Sequence, residues 1–284
     1  MGLERKELYR SELLSLRHVS CRHANKELSD VEVADANTLI LPLRGVFVEH
    51  FSRTQQILAE PNSALMIPAG SAARVSHPLS TEDDCLVIEF CNRPKVFPQK
   101  AIQVVLSPVA TAVRNLMRYR AHNQVCDGLE IEETSVALFD HVLQHSQKIP
   151  NQHRRNSKTL RQIDSARLIL CSYPERSWKL TVLAGYLNCS PFHLTRMFQR
   201  HLGVPLHRYL TYVRLSRSMD LLLDGTDLTT AAMQLGFSSH SHFTAKFRQY
   251  IGFAPSRIRE AAFSNIAVET RKNLIAAIAR LLLN

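Results

Sequence analysis

The sequence predicts an α+β chain of two domains, with a β-rich first half closed by two helices and an all-α second half. Three observations lead there. Short apolar runs cut by turn residues fill Thr38 to Cys91. After Val105 the apolar period lengthens to that of a helix. Positive charge is concentrated late in the chain: residues 1–150 hold 16 Lys and Arg against 18 Asp and Glu, whereas residues 151–263 hold 16 against 6. The middle segment therefore accounts for the whole formal charge of +10. A basic domain beside a near-neutral one is the electrostatic footprint of a nucleic-acid binder with a companion module. At 284 residues the chain is long enough for two ordinary domains, each with a real core. No apolar run approaches the roughly 20 residues that span a bilayer. Met1–Glu7 lacks the apolar stretch of a secretory signal, so a cytoplasmic protein is expected.

In chain order, Thr38–Leu43, Val46–Phe51, Gln55–Ala59, Ala64–Ile67, Ala73–His77 and Cys85–Phe90 read as strands, separated by Pro-, Gly- and Asn-rich turns. Six strands this closely spaced suggest a small sandwich or barrel. Val109, Val113, Leu116 and Met117 then mark a helix over Val105–Arg120, and Val136, Phe139 and Leu143 another over Leu129–Gln144. The polar stretch Lys148–Lys158 reads as a linker. The expected division is thus 1–147, a linker at 148–158, a DNA-binding domain at 159–263 and a C-terminal amphipathic helix within 264–284. In that tail Leu274, Ile278, Leu281 and Leu282 share one face.

Lys179–Arg200 has the design of a helix-turn-helix. Leu180, Leu183, Ala184 and Leu187 form one stripe, and small Ala184 permits a close crossing. Asn188 suits a left-handed turn, and Ser190-Pro191 is an N-cap followed by a first-turn proline. The second helix should bury Leu194, Met197 and Phe198. Its outer face would carry Phe192, His193, Thr195, Arg196, Gln199 and Arg200 toward a major groove. The design recurs: Asp227 caps a helix with Leu228, Ala231, Ala232 and Leu235, Gly236 ends it, and Ser238-Ser239 starts another. That helix should bury Phe243 and Phe247 and present His240, Ser241, His242, Lys246 and Arg248. Between the units, Pro205–Leu223 reads as one helix of about 27 Å. A rod of that length can set two recognition helices near the ~34 Å repeat of major-groove segments on one face of DNA.

On these residues the segment 162–262 resembles the DNA-binding domain of the AraC/XylS family of transcription regulators. Leu183-Ala184, Ser190-Pro191, Leu194, Arg196 and Phe198 carry the first unit. Gly203, Pro205, Tyr209, Arg214-Leu215 and Leu221-Leu222 carry the connecting helix. Gly236 through Phe243, with Phe247-Arg248, Gly252, Pro255-Ser256 and Arg259, carry the second unit. The resemblance implies double-stranded DNA as partner at two adjacent major-groove segments, contact with RNA polymerase, and regulation, with activation the expected sense. Arg196, at the family position, is expected to read a base edge; a phosphate contact or an ion pair within the domain is the alternative. The chain departs from the pattern at Ala231, where a larger aliphatic residue is usual, and at Ala245, where arginine is frequent. Ala245 cannot make arginine's bidentate guanine contact, so the second unit is expected to lean on phosphates.

By architecture the first half resembles the family's cupin-like sensor, with helices that dimerise and a barrel that takes a small effector. Arg44, Arg74 and His77 are candidate effector contacts. Metal-holding cupins need a His-x-His with further ligands; here His50 and His77 stand apart, so no metal, no cofactor and no enzyme activity are expected. Nor does Cys21, before Arg22-His23, sit in a nucleophile motif. The six cysteines form no C-x-x-C. They read as reduced, small buried hydrophobes, with Cys85 and Cys91 on one strand face. A regulator without a ligand, and an enzyme fused to a DNA-binding domain, are the competing readings.

Overall fold

In the computed structural model, residues 2–22, 27–53, 55–92, 94–147 and 157–258 are described. Contacts divide the chain into two compact units between Ser146 and Gln147.

Alternation dictates the first unit. Its strands are β1 (Leu3–Arg10), β2 (Leu14–Cys21), β3 (Glu32–Val33), β4 (Asn37–Arg44), β5 (Phe47–His50), β6 (Gln56–Ala59), β7 (Ser63–Ile67), β8 (Ala72–Ser76), β9 (Asp83–Phe90) and β10 (Ile102–Val105). They form two antiparallel sheets, ordered β1-β2-β9-β4-β7-β10 and β3-β8-β5-β6. On the larger sheet Leu14, Leu16, Leu39, Leu41, Leu86 and Ile88 are fully buried. Their neighbours Arg17, Val19, Thr38, Ile40, Val87 and Glu89 point the other way, into a cleft shared with Phe47, Glu49, Ala73 and Val75 of the smaller sheet. Phe47, Ile57, Ala59, Leu65, Ile67 and Ala101 form the apolar core between the sheets. Two antiparallel sheets facing one another over this core are the small sandwich or barrel that the strand spacing predicted.

All six strands read from the sequence are present, with ends shifted by one or two residues. Four more were not anticipated. β1 is almost wholly exposed and charged, the composition of a protected sheet edge. β10, Ile102–Val105, takes Val105 out of the expected helix; α1 starts at Pro108, capped by Ser107, whose side chain accepts from the Ala110 amide. The two helices, α1 (Pro108–His122) and α2 (Gly128–Gln147), follow. Phe139 of α2 meets Phe90 of β9 at 4.9 Å between ring centres. Arg114, with no exposed surface, donates to the carbonyls of Pro42 and Pro61 and so fastens α1 to β4 and to the turn between β6 and β7. Arg120 and Glu130 join α1 to α2 by two 2.7 Å bonds.

Cys91 corrects an expectation: β9 ends at Phe90, so Cys91 lies beyond the strand and is exposed while Cys85 is buried.

The second unit is α3 (Ser157–Ser172), α4 (Leu180–Tyr186), α5 (Pro191–Leu202), α6 (Leu206–Leu223), α7 (Leu228–Gln234) and α8 (His240–Ile251). α3 was not anticipated, and it takes in Ser157 and Lys158 from the expected linker. The rest of that linker, Arg259 and the amphipathic tail lie outside the described residues. α6 packs on α3, α5 and α7, with Tyr209, Val213, Met219 and Leu222 buried.

Candidate functional site

The turn of each helix pair is set by a left-handed residue. In the first, Asn188 has φ 47°. Ser190 accepts from the His193 amide at 3.1 Å, and Pro191 opens α5. Leu194, Met197 and Phe198 are buried, as is Ala184 under the crossing. In the second, Asp227 accepts from the amides of Thr229 and Thr230 and starts α7. Gly236 has φ 72°, and a Cβ there would stand 2.1 Å from the Glu175 carbonyl oxygen. Ser239 caps α8 through the His242 amide. Arg214 of α6 donates to the carbonyls of Pro174 and Arg176 and lies over the Phe237 ring. Burial lowers its pKa from the ordinary value. One loop, residues 173–178, is thus gripped by α6 and abuts the turn of the second pair.

The expected interface residues fall into two groups. Phe192, His193, Arg196 and Arg200 on α5 are exposed, and no hydrogen bond or ion pair holds their side chains among the described residues. Phe192 is 86% exposed, an uncommon cost for a phenyl ring at a helix start. Thr195 and Gln199 are exposed but partnered within the unit, Thr195 donating to the Pro191 carbonyl and Gln199 to that of Gly203. Ser190 and Ser239 are both engaged as caps. On α8, His242 shares a hydrogen bond with Ser238 at 2.9 Å, and His240 approaches Thr244 at 3.5 Å. Lys246 donates to Gln249 and stands over Tyr250. Ser241 and Arg248 are exposed. The sequence pattern did not single out Met233 of α7, 72% exposed, or Tyr186 of α4, 65% exposed, both in the helix that precedes a turn. Trp178, the chain's single tryptophan, is half-buried rather than in the core. Its indole donates to the Tyr173 carbonyl, and Arg176 stacks between the two rings.

In the first unit a cleft of about 560 Å³ opens between the two sheets. Of the three candidate effector contacts only His77 lines it. Arg44 is exposed and paired with Asp84. Arg74 is on the outward face of β8, because Ala73 and Val75 take the inward positions. Burial alone would raise the Asp84 carboxyl, but hydrogen bonds from Ser20 and Arg44 hold it below its ordinary value. The cleft's polar wall is Arg17 paired with Glu89, together with Glu49, His77, Asp83 and Cys21. Burial, with Glu32 nearby, pushes Glu49 up to about 8. Glu49, Asp83 and Cys21 were missed because they sit on three strands and share no local spacing; inward alternation on β5 was the one available signal.

Residues 183–261 match the family model described as "Helix-turn-helix domain". A protein described as an uncharacterized HTH-type transcriptional regulator of Haemophilus influenzae is 25% identical over 158 residues, covering 55% of this chain and 53% of that relative. The chain thus spans about half the length of that relative. The HTH-type transcriptional activator RhaS of Pectobacterium carotovorum is 38% identical over 72 residues, a quarter of either chain. A solved transcriptional regulator of Chromobacterium violaceum, titled as having an AraC-type DNA-binding domain, is 23% identical with a TM-score of 0.36. That alignment covers 39% of this chain and 99% of the other. No described helix is long and apolar enough to cross a membrane.

Proposed function

We propose that this chain, which carries an AraC-type helix-turn-helix domain at its C-terminus, is a sequence-specific DNA-binding transcriptional regulator. The carrying observation is the pair of capped, outward-facing helices α5 and α8, joined by the 18-residue α6, in a segment that holds the chain's excess of positive charge. In this reading α5 supplies the base contacts through Arg196, with His193 and Arg200 beside it. Arg248 and the N-terminus of α8 hold phosphates, which position a protein without specifying sequence. Two half-sites on adjacent major-groove segments would then be read by one chain.

The cleft of the first unit supports control by a small effector over a ligand-free regulator. It is roomy and mixed in polarity, and most of its lining lies on strands of the two sheets. A neutral Glu49 would donate a hydrogen bond there at pH 7. The finer parts of the proposal are activation, contact with RNA polymerase, homodimerisation through α1 and α2, and a cytoplasmic location. Genomic footprinting of the purified protein tests the core of it. Protected sites sharing a two-part motif with a spacing of about one helical turn are expected. Binding that ignores sequence at physiological salt would refute the reading.

A further inference from the structure

Cys21, His77 and Asp83 each offer a donor atom, and the three atoms lie within 4.8 Å of one another. All three residues are buried. Strand register brings them together: Cys21, at the end of β2, is the direct cross-strand partner of Asp83, at the start of β9, and His77 follows the end of β8 in the other sheet. The group therefore bridges both sheets at one rim of the barrel. His77 Nε2 and Asp83 Oδ2 come within 2.6 Å. Yet Asp83 Oδ2 and His77 Nδ1 are both buried without a hydrogen-bond partner. Burial of such atoms unsatisfied is costly. A histidine and a carboxylate that crowd without an aligned hydrogen bond have the arrangement of ligands converging on a common centre.

We infer that Cys21, His77 and Asp83 bind a divalent transition-metal ion of the zinc and cobalt class. A thiolate, an imidazole and a carboxylate form a mixed donor set that suits such ions and disfavours the oxygen-seeking magnesium and calcium. Ligands on a tetrahedral ion with bonds of about 2.0–2.3 Å stand roughly 3.3–3.7 Å apart, so small side-chain shifts suffice. Three protein ligands leave a fourth position open. Since all three residues line the cleft, that position faces it, and a water or a donor atom of a small molecule would complete the shell. The inference rests on the cleft alone and stands whether or not the second unit binds DNA as proposed.

Cobalt(II) titration into the reduced, chelator-treated full-length protein tests it. One ion per chain is expected, with tetrahedral visible bands and a near-ultraviolet charge-transfer band of single-thiolate intensity, all displaced by zinc. Cys21→Ser should abolish the charge-transfer band, Asp83→Asn and His77→Gln should weaken binding at least tenfold, and Cys91→Ser should change nothing. Circular dichroism of each metal-free variant checks that it is folded. Should Cys21→Ser fail that check, the single-thiolate spectrum of the unmodified chain and the other two variants decide. Absence of stoichiometric binding, intensity for two or more thiolates, or a band that survives in folded Cys21→Ser would overturn the assignment.

Discussion

Replacing Arg196 with alanine separates a base-reading residue from a structural one. Arg196 is exposed on α5 and no described residue pairs with it, so truncation should cost the domain under about 0.5 kcal/mol, the usual range for an unengaged surface site. The whole effect should therefore appear in DNA binding. Loss of a bidentate base contact costs about 1–3 kcal/mol, which at 1.4 kcal/mol per decade is roughly a five- to 150-fold rise in Kd. Fluorescence anisotropy on a selected site, a shuffled site and a set of single-base variants measures it across a salt series. The loss should be confined to the selected site, and discrimination should relax at one base pair. Arg200→Ala supplies the contrast, since a phosphate contact weakens all sequences alike and lowers the salt slope by about one. Equal weakening by Arg196→Ala on selected and shuffled DNA would refute the assignment. A lowered melting temperature would refute the premise that its side chain is unengaged.

Gly236→Ala places a methyl group 2.1 Å from the Glu175 carbonyl oxygen at φ 72°. A loss of roughly 2–4 kcal/mol is expected, read by urea unfolding through Trp178, the chain's single tryptophan; an unchanged midpoint would count against the described turn. Glu49→Gln probes the cleft. Its folded pKa is raised from 4.5 to about 8, so the unfolded chain releases the proton first and this group lowers stability progressively from about pH 4.5 to 8. Asp83 and Cys85 line the same cleft, and Glu32 adds to the shift. In chelator, the variant should gain on the unmodified chain across that window, by at most about 1.4 kcal/mol per pH unit. Parallel thermal midpoints from pH 5 to 8 would contradict this. Thiol labelling should modify exposed Cys91 readily and buried Cys85 only on unfolding; burial raises the Cys85 pKa well above its ordinary value, with Asp83 and Glu49 adding to the shift.

Local rules were enough wherever the fold is locally determined. Caps at Ser190, Asp227 and Ser239, left-handed turns at Asn188 and Gly236, and buried stripes through Leu194, Phe198, Phe243 and Phe247 are properties of a few consecutive residues, and each is where the pattern put it. The strands with dense apolar alternation were equally legible. β1 was not, because an exposed edge strand rich in charge has no apolar period to display. β10 was lost because its apolar run continues into the onset of α1.

The polar wall of the cleft was illegible for a different reason. Register across two sheets joins Cys21 to Asp83, and closure of the barrel brings His77 to both; neither operation has a signature in spacing. The missing His-x-His spoke only to ligands on one strand, and it left open a set drawn from three. In the proposed DNA-binding unit the same distinction divides α5 from α8. Both match one local design, yet α8 uses His240, His242 and Lys246 on its own neighbours, while α5 keeps Phe192, His193, Arg196 and Arg200 unengaged. A side chain already bonded within the domain must exchange that bond for one to DNA, and the net gain is small. An unengaged arginine exchanges only water. If α5 and α8 bind DNA as proposed, then with Ala245 at a position where the family resemblance places arginine, specificity should concentrate in the half-site proposed for α5. Substituting each base pair of a selected site in turn should show it as a steep half and a shallow one.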